Sequence, residues 1–387
     1  MRIIVVGGGA AGLVAAMYLA ALRHRVLVLE KSQRWGGRMR TAHIAPGVRV
    51  EAGGARFHRG HTALRHLVDL CNLNTVDVGA LPPVDRGALK AVCGMRAGTR
   101  STLPPRHPAV RTLRRQLGYS AEFELSHALE AQRSVCGDLT LDNYQILEAG
   151  TEALVGCLLR RVRQLGGRAA LRAEVRSLAR SRSGGWVVRT SRRALRADRV
   201  VLAVPASAAD RLRPRLGLAR HLASCSLMRI YATWPRKWWG GLRKQVIEGS
   251  PLGIFIPVGE KTVMASYTDS ALADAWNRLR HQEARRRLWK LLRAAFPGRD
   301  IPRTFAMHRF YWPEGVHCFR PRETPESDRE LAARWIEPEP GLHLAGEAYS
   351  MQHQWIEGAV ESAARVALRA HQQGAPGAGG SHRHEPG

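Results

Sequence analysis

Gly7-Gly8-Gly9-Ala10-Ala11-Gly12 stands between an apolar run, Arg2-Ile3-Ile4-Val5-Val6, and an alanine-rich segment of helical composition that continues to Leu22. A second apolar run, Arg25-Val26-Leu27-Val28-Leu29, follows and ends at Glu30. The order strand, glycine turn, helix, strand, acid is the context that gives a GxGxxG motif its meaning. Gly7 permits the tight turn, Gly9 lets backbone approach a pyrophosphate, Ala11 keeps the turn small, and Gly12 lets helix and strand pack closely. The helix start offers unpaired N–H groups to the anion. Glu30, 18 residues beyond Gly12, stands where a carboxylate accepts from a ribose hydroxyl. The stretch therefore predicts a dinucleotide site at the head of an α/β domain of Rossmann type.

Beyond it, the 387 residues suffice for two domains, and 45% hydrophobic content is that of a globular protein. The net charge is +28, yet only six of the 60 basic residues are lysines, at 31, 90, 237, 244, 261 and 290. Such charge attracts polyanions, so a nucleic-acid partner is possible. Because the arginines are spread along the whole chain, a general compositional drift is the favoured reading. Six cysteines at 71, 93, 136, 157, 225 and 318 form no CxxC or zinc pattern and read as reduced, intracellular thiols. Residues 3 to 22 are uncharged, but a Gly/Ala turn at their centre argues against a membrane span, and a soluble, cytoplasmic protein is expected.

Lys31-Ser32-Gln33-Arg34-Trp35-Gly36-Gly37-Arg38 offers a glycine turn at Gly37 that lets Arg38 meet a phosphate as a planar donor. Gly53-Gly54-Ala55-Arg56 follows. GGGAAGLVAA, VLVLEKSQRWGGRMRT and VEAGGARF together resemble the N-terminal signature of the flavin-dependent amine oxidase superfamily, which includes monoamine, polyamine and L-amino-acid oxidases. A second match lies near the C-terminus, where Gly341-Leu342-His343-Leu344-Ala345-Gly346-Glu347 precedes Gln354-Trp355-Ile356-Glu357-Gly358. The resemblance implies noncovalent FAD, with Gly54 and Ala55 beside it. It places Val175 against the adenine, Glu347 after Gly346 on the ribityl chain, and Ile356 at the flavin N1/C2 edge. Trp355 falls where monoamine oxidases carry a flavin-facing tyrosine, and its alternative reading is core packing. Arg56 matches the arginine that amino-acid oxidases place on the substrate carboxylate, its alternative being a local structural donor. Where the superfamily has a lysine holding a water at flavin N5, this sequence has Arg229, which cannot act as a base. Cys318 lies 37 residues before Trp355, as the thioether cysteine of monoamine oxidases lies before its aromatic, but Val316-His317 replaces the usual Gly-Gly.

For the remainder, 61 to 73 reads as a short helix and 80 to about 115 as a patternless Pro, Gly and Arg loop. A helix is expected over 145 to 165, and strands over 168 to 178, 185 to 190 and 197 to 204. Alternation from 226 to 268 predicts an antiparallel sheet walling a substrate cavity, and 281 to 296 a helix with a leucine stripe and a basic face. The expected architecture is a discontinuous FAD-binding domain (1-79, 150-210 and 335-371), a mixed-sheet plus helices substrate domain (80-149 and 211-334) and a disordered tail (372-387). The implied reaction oxidises the C–N bond of an amine or L-amino acid to an imine, with O2 as acceptor and H2O2 and ammonia as products. A C–C desaturase of the phytoene or protoporphyrinogen type, or a weakened FAD-binding scaffold on nucleic acid or chromatin, are the alternatives. No metal and no membrane partner is expected.

Overall fold

The computed structural model of the protein describes residues 1–78, 84–138, 143–323 and 326–372. Its first sheet is parallel, in the order Leu342–Leu344, Arg199–Leu202, Arg2–Val6, Arg25–Leu29, Arg168–Ala170. The central strands Arg2–Val6, Arg25–Leu29 and Arg199–Leu202 are nearly continuous apolar runs because both faces are covered. Helices Ala10–Ala21 and Ile356–Gln372 pack together with helix Thr151–Gln164 around Val5, Leu13, Val14, Val28, Leu158 and Val366. The chain thus returns to one sheet from three distant parts of its length. In the middle of the chain a second five-stranded sheet forms, in the order Gln245–Ile247, Gly253–Pro257, Thr262–Asp269, Leu222–Thr233, Ala306–Phe319. It is antiparallel throughout, as the alternation over 226 to 268 indicates. Helices Ser270–Arg278 and His281–Ala295 cover its outer face through Trp276, Leu288 and Leu292.

Several expectations need correction. The helix expected from 145 begins only at Thr151, because Tyr144–Leu147 is a strand. Gly150 separates the two at φ +81, where a Cβ would lie 2.5 Å from Thr41 Oγ1. The supposed loop over 80 to 115 contains helices Arg86–Cys93 and Pro108–Leu117, apart from 79–83, which lie outside the described residues. Val110, Leu113 and Leu117 bury one face of the second helix, a period masked by its arginines. The run from 168 splits at Arg172 (φ +53) into Arg168–Ala170 of the parallel sheet and Val175–Arg180 of a separate antiparallel one. Likewise 197 to 204 divides between Ala194–Ala197 and Arg199–Leu202. The cysteines are not all free thiols. Cys71–Cys157 and Cys93–Cys136 are disulfides, and Cys225 and Cys318 are free and buried. Spacing could not reveal this, since each pair joins segments far apart in sequence. Of the expected tail, Gln372 ends a helix and the rest lies outside the described residues. Among those described, no helix is long and apolar enough to cross a membrane.

Candidate active site

The glycines of the first turn have different physical reasons. At Gly7 (φ +108) a Cβ would lie 2.2 Å from the Ala203 carbonyl oxygen, and at Gly12 it would lie 1.9 Å from the Gly7 oxygen. Both are therefore demanded by the protein's own packing. Gly9 differs: φ is −80, and the nearest atoms to an added Cβ are 3.8 Å away, Gly36 O and Gly37 Cα. Nothing in the polypeptide forbids a side chain there. Gly9 begins helix Ala10–Ala21, no side chain caps this end, and buried Ala11 keeps the turn close to the sheet. The first amides, with no carbonyl a turn earlier to meet, need an outside acceptor. Beside them Glu30 accepts from Gly8 N (2.7 Å) and Ser32 N (2.8 Å), which fixes the carboxylate at the sheet's edge and leaves lone pairs free. Ala173 N donates to Glu30 O at 2.9 Å, so the segment entering Val175 lies against the same corner. A glycine cradle, an anion-seeking helix end and a fixed carboxylate fit the pyrophosphate and ribose of a dinucleotide.

Gly36 and Gly37 close over this turn: Gly36 N donates to Gly8 O at 2.8 Å, and a Cβ on Gly37 would lie 3.2 Å from Gly9 Cα. Gly53 is packed so tightly on the Arg38 carbonyl that a Cβ would come within 1.8 Å of its oxygen. Gly54 faces Ile356, whose Cγ1 is 3.4 Å from the same hypothetical atom, and Ala55 follows, partly buried. Arg38 Nη1 donates to Glu347 Oε1 at 2.7 Å and to Gly315 O at 3.0 Å. Glu347, which follows Gly346, is 5% exposed and meets His317 Nδ1 at 3.0 Å. Burial alone would raise its pKa, but Arg38 and His317 outweigh burial and hold it well below the carboxylate range. His317 bridges to Glu314, whose carboxyl, bonded by His317 and by Ser207 Oγ at 2.5 Å, is held down at about 2. Burial lowers the His317 pKa, but Glu347 and Glu314 outweigh it and raise it, so the row Arg38, Glu347, His317, Glu314 alternates basic groups with carboxylates.

Trp355 belongs to a different cluster. Its ring stacks on Tyr144 (5.9 Å, 14°) and meets the edge of His61 at 4.9 Å. Arg56, on strand Arg56–His58, lies 4.8 Å above Tyr144 and 5.8 Å from Trp355, and donates from Nη2 to Tyr119 Oη at 2.7 Å. Tyr119 meets Tyr267 edge-on at 5.9 Å, and Tyr267 carries Arg229 over its face at 4.9 Å. Arg229 Nη1 also donates to Glu51 O at 2.8 Å, beside Tyr231 Oη at 2.7 Å from the same oxygen. Arg56, Trp355 and Arg229 therefore line one aromatic box. Among the described residues no carboxylate lies within ion-pair distance of either arginine. Cys318 lies elsewhere, opposite Ala223 in the antiparallel sheet, with burial pushing its thiol well up.

A family model described as flavin containing amine oxidoreductase matches residues 109–371, and an NAD(P)-binding Rossmann-like model matches 5–71. The chain belongs to the flavin containing amine oxidoreductase family. An L-amino-acid oxidase of Mus musculus is 26% identical over 457 aligned positions, covering 95% of this chain and 70% of the relative. An (S)-6-hydroxynicotine oxidase of Paenarthrobacter nicotinovorans is 52% identical over 60 residues, 15% of this chain and 14% of that one. The structure of cyclohexylamine oxidase from Brevibacterium oxydans superposes with TM-score 0.75 at 19% identity, covering 96% of this chain and 99% of that one. The family's cofactor is a flavin of the FAD type, and this enzyme is a flavin amine oxidoreductase.

Sequence reading missed Tyr119, Tyr144, Tyr267, His61 and His317. The tyrosines come from three separate segments and meet only through tertiary packing. A signal existed for His61, which lies five residues after Arg56 at the start of helix Thr62–Leu70 and is fully buried with neither ring nitrogen bonded. Glu357, in the Trp-Ile-Glu-Gly run, accepts from Ala63 N (2.8 Å) and Leu64 N (2.6 Å) of that helix. Gly358 is required because a Cβ there would sit 2.1 Å from Gln352 O.

Proposed function

We propose that the enzyme oxidises the C–N bond of an amine carrying a carboxylate, an L-amino acid in the simplest case, with noncovalent FAD and with O2 as acceptor. Imine, then ammonia with an aldehyde or keto acid, and H2O2 are the products. The observation that carries this reading is Arg56, a partly buried guanidinium held among Tyr119, Tyr144 and Trp355 with no acidic partner. A planar carboxylate is its natural complement. Bound FAD supplies the two-electron acceptor. The Gly9 turn, Glu30 and Val175 would hold the nucleotide half, Gly37 and Arg38 the phosphates, and Gly346 with Glu347 the ribityl chain. Gly54, Ala55 and the first amides of helix Ile356–Gln372 would border the ring, the helix end favouring negative charge there.

Within the box, Trp355 and Tyr144 form a wall that positions the amine and excludes water. Arg229 contributes fixed positive charge, since arginine does not exchange protons at working pH. A water relay through that position is therefore absent from the proposal. Noncovalent attachment is supported by Cys318, whose buried thiol is poorly ionised. The test is purification, a visible spectrum and peroxide measured against a panel of amines and L-amino acids. A yellow protein producing peroxide with amino acids is the expected result. A colourless protein, or a flavoprotein oxidising only amines without a carboxylate, overturns it.

A further inference from the structure

Lys244 stands at the bend that leads into strand Gln245–Ile247, at one edge of the antiparallel sheet. That strand packs on the aromatic box: Val246 joins the cluster of Tyr119, Tyr144, Ile254, Tyr267 and Trp355. A Cβ on Gly118, just before Tyr119, would lie 3.1 Å from Val246 and 3.0 Å from Ile254. The turn carrying Lys244 is therefore at the rim of the box, close enough to Arg56 for the two charges to repel. Lys244 is partly buried, and among the described residues its ammonium has no hydrogen bond and no ion pair. Its pKa falls to about 7, chiefly through burial and then through Arg56.

Of the acids around the box, Asp269 is committed elsewhere, and Glu122, whose Oε2 has no partner, is held toward its neutral form. Asp269 accepts from Ser120 N, Ser120 Oγ and Ala121 N. Glu122 is itself buried, and its pKa is pushed up to about 7 by burial and by Asp269. Of the three cations around the box, Arg229 is engaged by Glu51 O and the face of Tyr267. Arg56 is held by Tyr119 Oη and aromatic faces alone, and Lys244 has no hydrogen-bond or ion-pair partner among the described residues. Two partly desolvated cations at one box without a carboxylate are costly; burial and Arg56 push Lys244 toward its neutral form, and an anion arriving there favours its charged form again. One α-carboxylate satisfies the fork of Arg56 and leaves Lys244 needing another.

We propose that Lys244 recognises a second anionic group, so that the preferred substrate is an L-amino acid with an acidic side chain. The proposal rests on the reading of Arg56 as the α-carboxylate anchor. It also excludes diamines, whose distal ammonium would enter a field of like charge.

Glutamate and glutamine, and aspartate and asparagine, differ by one charge at nearly constant shape. With the purified holoenzyme, kcat/KM is expected to favour each acid over its amide by about tenfold or more, the worth of a charge-assisted hydrogen bond. Lys244→Met should collapse that ratio, and Lys244→Arg should keep it. Wild type using the amides as well as the acids overturns the proposal. So does a Lys244→Met loss equal for acids and amides, which would make Lys244 a general proton acceptor or a structural residue. A second readout needs no turnover. Glutarate should quench tryptophan fluorescence at a concentration about tenfold lower than butyrate, and that difference should vanish in Lys244→Met; equal binding of the two acids by wild type refutes the idea. Failure of the Arg56 reading is separate: it appears as Arg56→Ala weakening simple amines and amino acids alike.

Discussion

Replacing Gly9 and Gly12 separately by alanine tests whether the first turn is built for a ligand or only for itself. At Gly12 the new methyl would lie 1.9 Å from the Gly7 carbonyl oxygen and 3.3 Å from Ala203 Cβ. The first neighbour is backbone, held by the bond from Gly7 N to Leu29 O, so strand and helix must part by more than an ångström. Overpacking of that kind costs about 3 kcal/mol or more. At Gly9 the nearest neighbours are 3.8 Å away and φ is −80, a conformation alanine adopts freely. The flavin-free Gly9→Ala protein should therefore melt with wild type, or gain about 0.4–1 kcal/mol from a stiffer unfolded chain. Its methyl would occupy the approach a pyrophosphate needs, so FAD should no longer stabilise it. For wild type, FAD at a hundred times its Kd adds about 2.7 kcal/mol. Thermal melts of stripped protein with and without FAD, together with absorbance near 450 nm, separate the cases. Gly9→Ala should match stripped wild type and show no shift; Gly12→Ala should fail before flavin is added. Full flavin occupancy in Gly9→Ala, or equal destabilisation by both variants, would refute the reasoning.

Arg56→Ala should lower kcat/KM for amino acids about 10- to 100-fold while sparing amines without a carboxylate, as loss of one charge-assisted hydrogen bond requires; equal losses across a peroxide-coupled panel would make Arg56 structural. Glu122 is buried, its Oε2 has no partner, and burial with Asp269 raises it to about 7. Between its ordinary value and about 7 the folded state keeps a proton the unfolded chain releases, so its contribution is full at acid pH and is lost as pH rises through 7. Relative to Glu122→Gln, wild type should lose about 3 kcal/mol over that window in urea titrations, and a flat difference would refute the shift. Thiol titration of unreduced, denatured protein should find only Cys225 and Cys318, and all six cysteines after reduction; six thiols before reduction would remove the disulfides. Acid precipitation should leave the yellow colour in solution, whereas flavin retained in wild-type pellet but not in Cys318→Ala would establish a thioether.

What could be read in advance was the local and periodic part of the molecule. The turn from Gly7 to Gly12, with its flanking strands and Glu30, is specified by neighbours within thirty residues, so sequence order alone exposes it. Helix His281–Ala295 was legible for the same reason, its leucines repeating on one face. Helix Pro108–Leu117 was not, because its apolar positions are few and set among three arginines and a glutamine. The box around Arg56 was legible only in Arg56, Trp355 and Arg229. Tyr119, Tyr144 and Tyr267 reach it from a loop and two strands that meet only through tertiary packing, and no spacing encodes that meeting. Disulfide pairing was hidden for the same reason: Cys71 and Cys157 are 86 positions apart.

The bonds from Ala63 and Leu64 to Glu357 have a mechanical consequence. Helix Thr62–Leu70 grows directly out of the strand bearing Arg56, and Glu357 sits two residues after Trp355. The carboxylate is therefore a strut between two walls of the same chamber, drawn from segments nearly three hundred residues apart. Displacing one wall drags the other, so the spacing of guanidinium and indole is fixed. A substrate too long for that spacing cannot be admitted by a shift of either wall alone; the opposite rim is tied likewise, since Asp269, two residues after Tyr267, accepts from Ser120 N, Ser120 Oγ and Ala121 N beside Tyr119, so selection for new substrates would have to work on the side chains there and on Lys244.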